Sequence, residues 1–268
     1  MKKIFSKFKL ILAVALLAMT FTGLTAFTGS VTPVKSVQAA IDDYVLYKAV
    51  ANTTLYKTEF GNAKKATIKK GEVVLFVNQS SGYRMKVLTL THGTGYASIG
   101  SYTKINSKNL KVNNYKQENG YYCGPATCKQ VLSHYSVNKT QKQLAKALGT
   151  TTDGTTMTNI PGVLNKYQDK HTYKYYNYSS KDDFQKKVLL SIANGYPVVI
   201  DIKTKNTSYA SDWGYNTNGH YMNISAFNIK NNTITVTDPH PTYCRVKAYK
   251  ADLVYNVVNS HWRKAIIY

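Results

Sequence analysis

Cys123 lies in the run Tyr122-Cys123-Gly124-Pro125-Ala126, directly ahead of a helix pattern. Pro125 fits the first turn of a helix, where its missing N–H removes no hydrogen bond. Cys128, Val131, Leu132 and Tyr135 follow at i, i+3, i+4 and i+7, the spacing of a buried stripe. Cys123 falls on roughly the opposite side of that wheel. Cys128 therefore reads as core, and Cys123 as the thiol that can face a cleft. The positive end of a helix dipole favours negative charge, which suits a nucleophilic sulfur. An inert buried thiol is the plain alternative.

His220 opens a strand pattern, and alternation puts it on one face with Met222, Ile224 and Ala226. Asp238 closes the next strand, on a face with Ile234 and Val236. Lys230-Asn231-Asn232 joins the two as a hairpin turn. An imidazole and a carboxylate thus arrive at the same end of one hairpin. The carboxylate would fix the ring's tautomer and leave its other nitrogen for a thiol. A structural His–Asp pair would need the same two residues. Gln117, six residues before Cys123, carries an amide able to donate to an oxyanion beside the Cys123 N–H.

Gln117, Cys123-Gly124-Pro125, Gly219-His220-Tyr221 and Asp238-Pro239, in that order and spacing, resemble the papain-like cysteine peptidases of family 39. These are relatives of the leader-peptide processing domains of bacteriocin exporters. The resemblance spans residues 110–268. It implies Cys123 as nucleophile, His220 as general base and acid, Asp238 as orienting acid and Gln117 as oxyanion donor. It implies a peptide or protein substrate, and neither cofactor nor metal. The exporters also carry membrane-spanning and ATP-binding regions. This sequence has no P-loop, so it looks like a stand-alone secreted member.

For these residues to meet, 110–268 must fold as an α+β, papain-like domain with helices packed on an antiparallel sheet. Leu144, Ala147 and Leu148 mark a second short helix, stopped by Gly149. Pro161 opens a third, with Ile160, Val163, Leu164 and Tyr167 on one face. Ser180 with Asp183 is a capping box for a fourth, ending at Asn194-Gly195. Strands are expected at 198–202, 221–229 and 233–237. Ahead of this domain, 42–105 reads as a small all-β barrel. Apolar runs at 44–47, 73–77 and 85–88 alternate with turn clusters such as Gly61-Asn62, Lys70-Gly71, Ser80-Ser81-Gly82 and Gly93-Thr94-Gly95. Lys70-Gly71-Glu72 and Gly95-Tyr96-Ala97-Ser98 resemble bacterial Src-homology-3-like domains, which implies a wall-targeting module. Polar residues 105–116 read as a linker.

Lys2, Lys3, Lys7 and Lys9 precede an apolar run from Leu10, and Val37-Gln38-Ala39 is a small-x-small cleavage pattern. Residues 1–39 read as a signal peptide, with an uncleaved anchor as the alternative. No later segment is apolar enough to span a bilayer. The chain is therefore expected outside the cell, in association with the wall. Of 268 residues, 43% are hydrophobic and 18% charged, a globular composition with material for a core. Lys and Arg outnumber Asp and Glu by 35 to 13, a formal charge of +22 that draws polyanions. An anionic cell-wall polymer is the expected partner, because no nucleic-acid motif accompanies the charge.

Several residues keep two readings. Trp213-Gly214-Tyr215 either lines a cleft or packs, and Tyr173, Tyr175, Tyr176 and Tyr178 either stack on a ligand or pack. Three cysteines rule out a disulfide scaffold but leave a Cys128–Cys244 bridge open. Cys123, Cys128, His240 and Cys244 are loosely spaced for zinc. His92, His134, His171 and His261 suggest surface or packing roles. The rival functions are a cell-wall peptide amidase or endopeptidase, and a non-catalytic surface-binding protein with a vestigial peptidase fold.

Overall fold

Strand follows strand through the first third of the computed structural model, which describes residues 40–79 and 84–268. The expected signal segment and the turn at Ser80-Ser81-Gly82 lie outside the described residues. The strands are β1 (Val45–Ala49), β2 (Thr53–Tyr56), β3 (Lys64–Ile68), β4 (Val73–Gln79), β5 (Arg84–Thr89), β6 (Gly93–Ser98) and β7 (Tyr102–Ile105). They form one antiparallel sheet in the order β3-β2-β6-β5-β4-β1-β7. Alternation explains them: Met85, Val87 and Thr89 of β5 are buried while their neighbours are half-buried.

The segment expected as a free linker is not one. Ser107–Asn109 forms β8 and pairs with the later strand that carries His220. Leu110 is buried beyond it, and its N–H donates to Ser225 O at 2.9 Å. The polar composition hid this, because the contacts are made by backbone.

Helices and strands then follow: α1 (Cys123–His134), α2 (Gln141–Leu148), α3 (Ile160–Tyr167), β9 (Tyr175–Asn177), α4 (Lys181–Ala193), β10 (Val198–Ile202), α5 (Ala210–Trp213), β11 (His220–Asn228), β12 (Thr233–Asp238), β13 (Arg245–Lys250), α6 (Ala251–Asn259) and β14 (Ala265–Ile267). Thr140 and Gln143 cap α2 reciprocally, and Gly149 ends it at φ 65°. Its buried face is Leu144, Ala145 and Leu148; Ala147, expected inside, is exposed. Ser180 Oγ accepts the Asp183 N–H at the start of α4. The Asp183 carboxylate reaches back to the Ser179 N–H instead of completing the box at Ser180.

The second sheet runs β13-β12-β11-β10-β14-β9. β10 pairs with β11 over His220 to Ile224, and β8 takes its place against Ala226 to Asn228. Cys128, Val131, Leu132, Leu144 and Leu164 cover one sheet face with Val199 and Tyr221. The other face, with Ile200, Met222 and Ile224, packs on Val188, Ile192, Val254 and Val258. A bulge between Ile224 and Ala226 shifts the alternation, so Phe227 rather than Ala226 continues that face. Ile41, Leu46, Val73 and Leu75 of the N-terminal part belong to the same cluster. Asn194, just beyond α4, binds both the N–H and the carbonyl of Val73.

Among the described residues, no helix is long and apolar enough to cross a membrane.

Candidate active site

One end of the second sheet collects the chemistry. β11 starts there with His220, β12 ends there with Asp238, and β10 ends there just past Asp201. The register pairs Asn223 with Thr237, so one step further puts Met222 opposite Asp238 and His220 diagonal to it. His220 Nε2 donates to Asp238 Oδ1 at 2.8 Å. Both residues are buried.

Cys123 is the first residue of α1, and Tyr122 before it makes no side-chain cap. Gly124 is required by close approach: a Cβ there would stand 2.6 Å from Thr155 Cβ. The Cys123 thiol reaches His220, and this contact is part of what sets the ring's charge. Burial pushes that imidazole toward neutrality. The Asp238 hydrogen bond, the nearby Cys123 sulfur and the charges of both outweigh it and lift the ring to about 9. With Nε2–H on Asp238, Nδ1 is the nitrogen left for the sulfur.

Asp238 is held from several sides. Oδ1 also accepts the His240 N–H at 2.9 Å, and Oδ2 accepts Tyr215 Oη–H at 2.9 Å. Burial works against its ionisation, but the His220, His240 and Tyr215 bonds hold the carboxyl below its usual range. Tyr215 in turn stacks on Tyr243, with centroids 5.3 Å apart. The Trp-Gly-Tyr run therefore divides its roles. Trp213 is fully buried against Tyr249, at 4.3 Å and 7°, and packs. Tyr215 serves the site.

Gln117 is buried at the turn ahead of Cys123. Its Nε2 donates to Asn119 O at 2.7 Å, the carbonyl that also accepts the Tyr122 N–H. Its backbone N–H donates to Pro239 O, which ties it to the residue after Asp238. One amide hydrogen is thus already engaged.

The other predicted residues fall away from this centre or behind it. Cys128 is fully buried and burial pushes its thiol up. Cys244 is half-buried, and no disulfide links the three cysteines. Tyr173 and Tyr178 are buried and pack. His134 bonds Gly195 O at 2.8 Å at the far end of α1, and His171 stacks on Tyr196 at 3.8 Å. Sequence reasoning assigned no role to Asp201, whose Oδ1 accepts the His220 N–H at 3.0 Å. An acid on the strand beside His220 was the available signal.

The family model described as Peptidase_C39 like family matches residues 109–265. The chain belongs to that family. Residues 109–265 have the papain-like fold of a C39 peptidase, helices with antiparallel sheet, and the protein is a cysteine peptidase. Among solved structures, it is similar to a double-glycine-motif protease from an AMS/PCAT transporter, determined in complex with the leader peptide. That likeness has 16% identity, covers 61% of this chain and 96% of the other, and has a TM-score of 0.44. The peptidase domain of Streptococcus ComA, a bi-functional ABC transporter, matches at 19% identity over 57% of this chain and 94% of that one, with a TM-score of 0.41. NlpC1 from Trichomonas vaginalis matches at 10% identity over 78% and 65%, with a TM-score of 0.20. No curated protein matches the chain.

Proposed function

We propose that this cysteine peptidase hydrolyses peptide bonds with Cys123 as nucleophile, His220 as general base and acid, and Asp238 as orienting acid. The observation that carries the reading is His220 held between Asp238, at 2.8 Å, and the Cys123 thiol. His220 and Cys123 form a thiolate–imidazolium pair, the sulfur's proton resting on Nδ1, and the thiolate attacks the scissile carbonyl. The Cys123 N–H and the second amide hydrogen of Gln117 receive the oxyanion. Such a donor contributes about 3–4 kcal/mol. His220 then protonates the departing amine. In the second half, water gives a proton to His220 and adds to the acyl carbon, and the C–S bond breaks to restore the thiol.

The reading extends to an exported peptidase at the cell surface. It rests there on the Lys-rich, apolar start of the sequence and its small-x-small pattern. The N-terminal strands would be a Src-homology-3-like module holding an anionic wall polymer, supported by the positive charge that remains without residues 1–39, which carry five Lys and no acid of the formal +22. A peptide substrate accords with the leader peptide bound to the transporter protease.

The test is alkylation of purified protein by iodoacetamide from pH 5 to 9, with peptide mass spectrometry. Fast reaction at Cys123 that His220→Ala removes supports the pair. Reaction at Cys123 no faster than a free thiol overturns it.

A further inference from the structure

Trp262 is 76% exposed, an unusual position for so large an apolar ring. Its neighbours hold it there. Arg263 donates through Nη1 to Asp201 Oδ2 at 2.6 Å and to Tyr221 Oη at 2.9 Å. Arg263 N–H donates to His261 Nδ1 at 3.2 Å. His261 Nε2 lies 3.5 Å from Asp201 Oδ2 and packs over Gly219, where a Cβ would stand 3.4 Å from it. Lys264 follows at φ 44°, a left-handed turn, and β14 then pairs Ile266 with Ile200.

Each anchor is a neighbour of His220. Gly219 and Tyr221 flank it in sequence, and Asp201 holds its N–H. The turn at 261–264 is therefore fixed at the start of β11, next to the backbone of His220 and on the side away from Asp238. The Arg263 guanidinium lies 4.6 Å over the Trp262 ring and leaves the opposite face free of it. Tyr243, 42% exposed, and Val246, 56% exposed, lie at the same sheet end on the Asp238 side. Exposed apolar side chains at the sheet end that carries the thiol and the imidazole are surface that a bound peptide can cover.

We infer that Trp262 is a substrate-binding residue that takes a bulky apolar side chain on the C-terminal side of the cleaved bond. The side follows from the chemistry. The acyl half of the substrate is held on Cys123, whereas the departing amine must lie within reach of His220. Residues fixed beside His220 therefore meet the departing half. This inference rests on the catalytic roles proposed above.

A peptide library with randomised positions, digested by the purified protein, tests it through the sequences of the new N-termini. Leu, Phe, Tyr or Met should be enriched in the first residues after the cut. Trp262→Ala should lower that enrichment about tenfold, the worth of burying such a side chain. Trp262→Phe should keep most of it, and preferences before the cut should not change. Enrichment that survives Trp262→Ala, or none in the wild type, overturns the inference while cleavage upholds the triad. A binding arm separates the two further. In a Cys123→Ala background, Trp262 emission is read against the same chain carrying Trp262→Phe, with a Leu-rich peptide amide added. A blue shift in a chain whose parent cuts nothing supports the surface and overturns the triad. No shift and no cleavage overturns both.

Discussion

Tyr215 and His220 bind the two oxygens of one buried carboxylate: Oη–H at 2.9 Å to Asp238 Oδ2, and Nε2–H at 2.8 Å to Asp238 Oδ1. The acid is thereby fixed in plane and rotation before any substrate arrives. Tyr215→Phe removes one charge-assisted bond. It should lower stability by about 1.5–3 kcal/mol and reduce cleavage while preserving the fold. Urea midpoints and initial rates on one peptide check both. Unchanged values in both would mean that Tyr215 only packs.

Asp238→Asn keeps the shape and reverses a hydrogen-bond role. The amide can present N–H to the ring and favour the wrong tautomer. Turnover should fall at least about tenfold, with far-UV circular dichroism unchanged; the loss stays short of the serine-triad value because a Cys–His pair can also be oriented by an amide oxygen. Activity near that of the wild type would remove Asp238 from the mechanism.

The raised His220 sets two pH dependences. A histidine that binds its proton more tightly when folded stabilises the fold fully below its unfolded value of 6.5, and loses that contribution as pH rises through about 9. The melting temperature should therefore fall across that window, and His220→Ala should flatten the fall. Asp238 acts at the other end. Its lowered carboxyl stabilises above the usual carboxylate value and stops doing so as pH falls through the folded one. Cleavage should also fall off near pH 9, as the proton owed to the leaving amine is lost.

Gly124→Ala places a methyl group against Thr155. Relief requires moving Thr155 or the start of α1, and both choices disturb Cys123. A loss of about 1–3 kcal/mol is expected, with a larger proportional loss in the alkylation rate of Cys123. Thermal melts and iodoacetamide rates on the same sample separate these effects.

Leu75→Ala cuts into the cluster that the N-terminal sheet shares with Val188 and Ile192. It should cost about 2–5 kcal/mol. In a Trp262→Phe background, emission from buried Trp213, far along the chain, should shift its urea midpoint together with the far-UV signal. Two separated transitions would show that the halves unfold independently.

The helices were legible because their apolar spacing and caps are local. Gly149 and Ser180 sit where the sequence puts them. His220 and Asp238 were legible through strand alternation and a short turn, which together fix the end of a hairpin. Three features were not legible, each for a physical reason. β8 joins the sheet through backbone alone, so its polar side chains read as linker. The bulge at Ser225 breaks the alternation that Ala226 was read from. Tyr215 and Asp201 reach the site through contacts 23 and 19 residues away in the chain, which no local pattern encodes.

The continuous packing between the first sheet and the second has a mechanical meaning. Val73 is clamped by Asn194 through both of its backbone polar groups, and Tyr44 Oη–H binds Asp182 at 2.7 Å. These joints take the slack out of the connection. Anything gripped by the first strands would be presented to Cys123 at one height and angle, as the sole of a plane sets the depth of its blade. Cutting by such a body would be confined to bonds lying at that reach, however many susceptible bonds its surroundings offer.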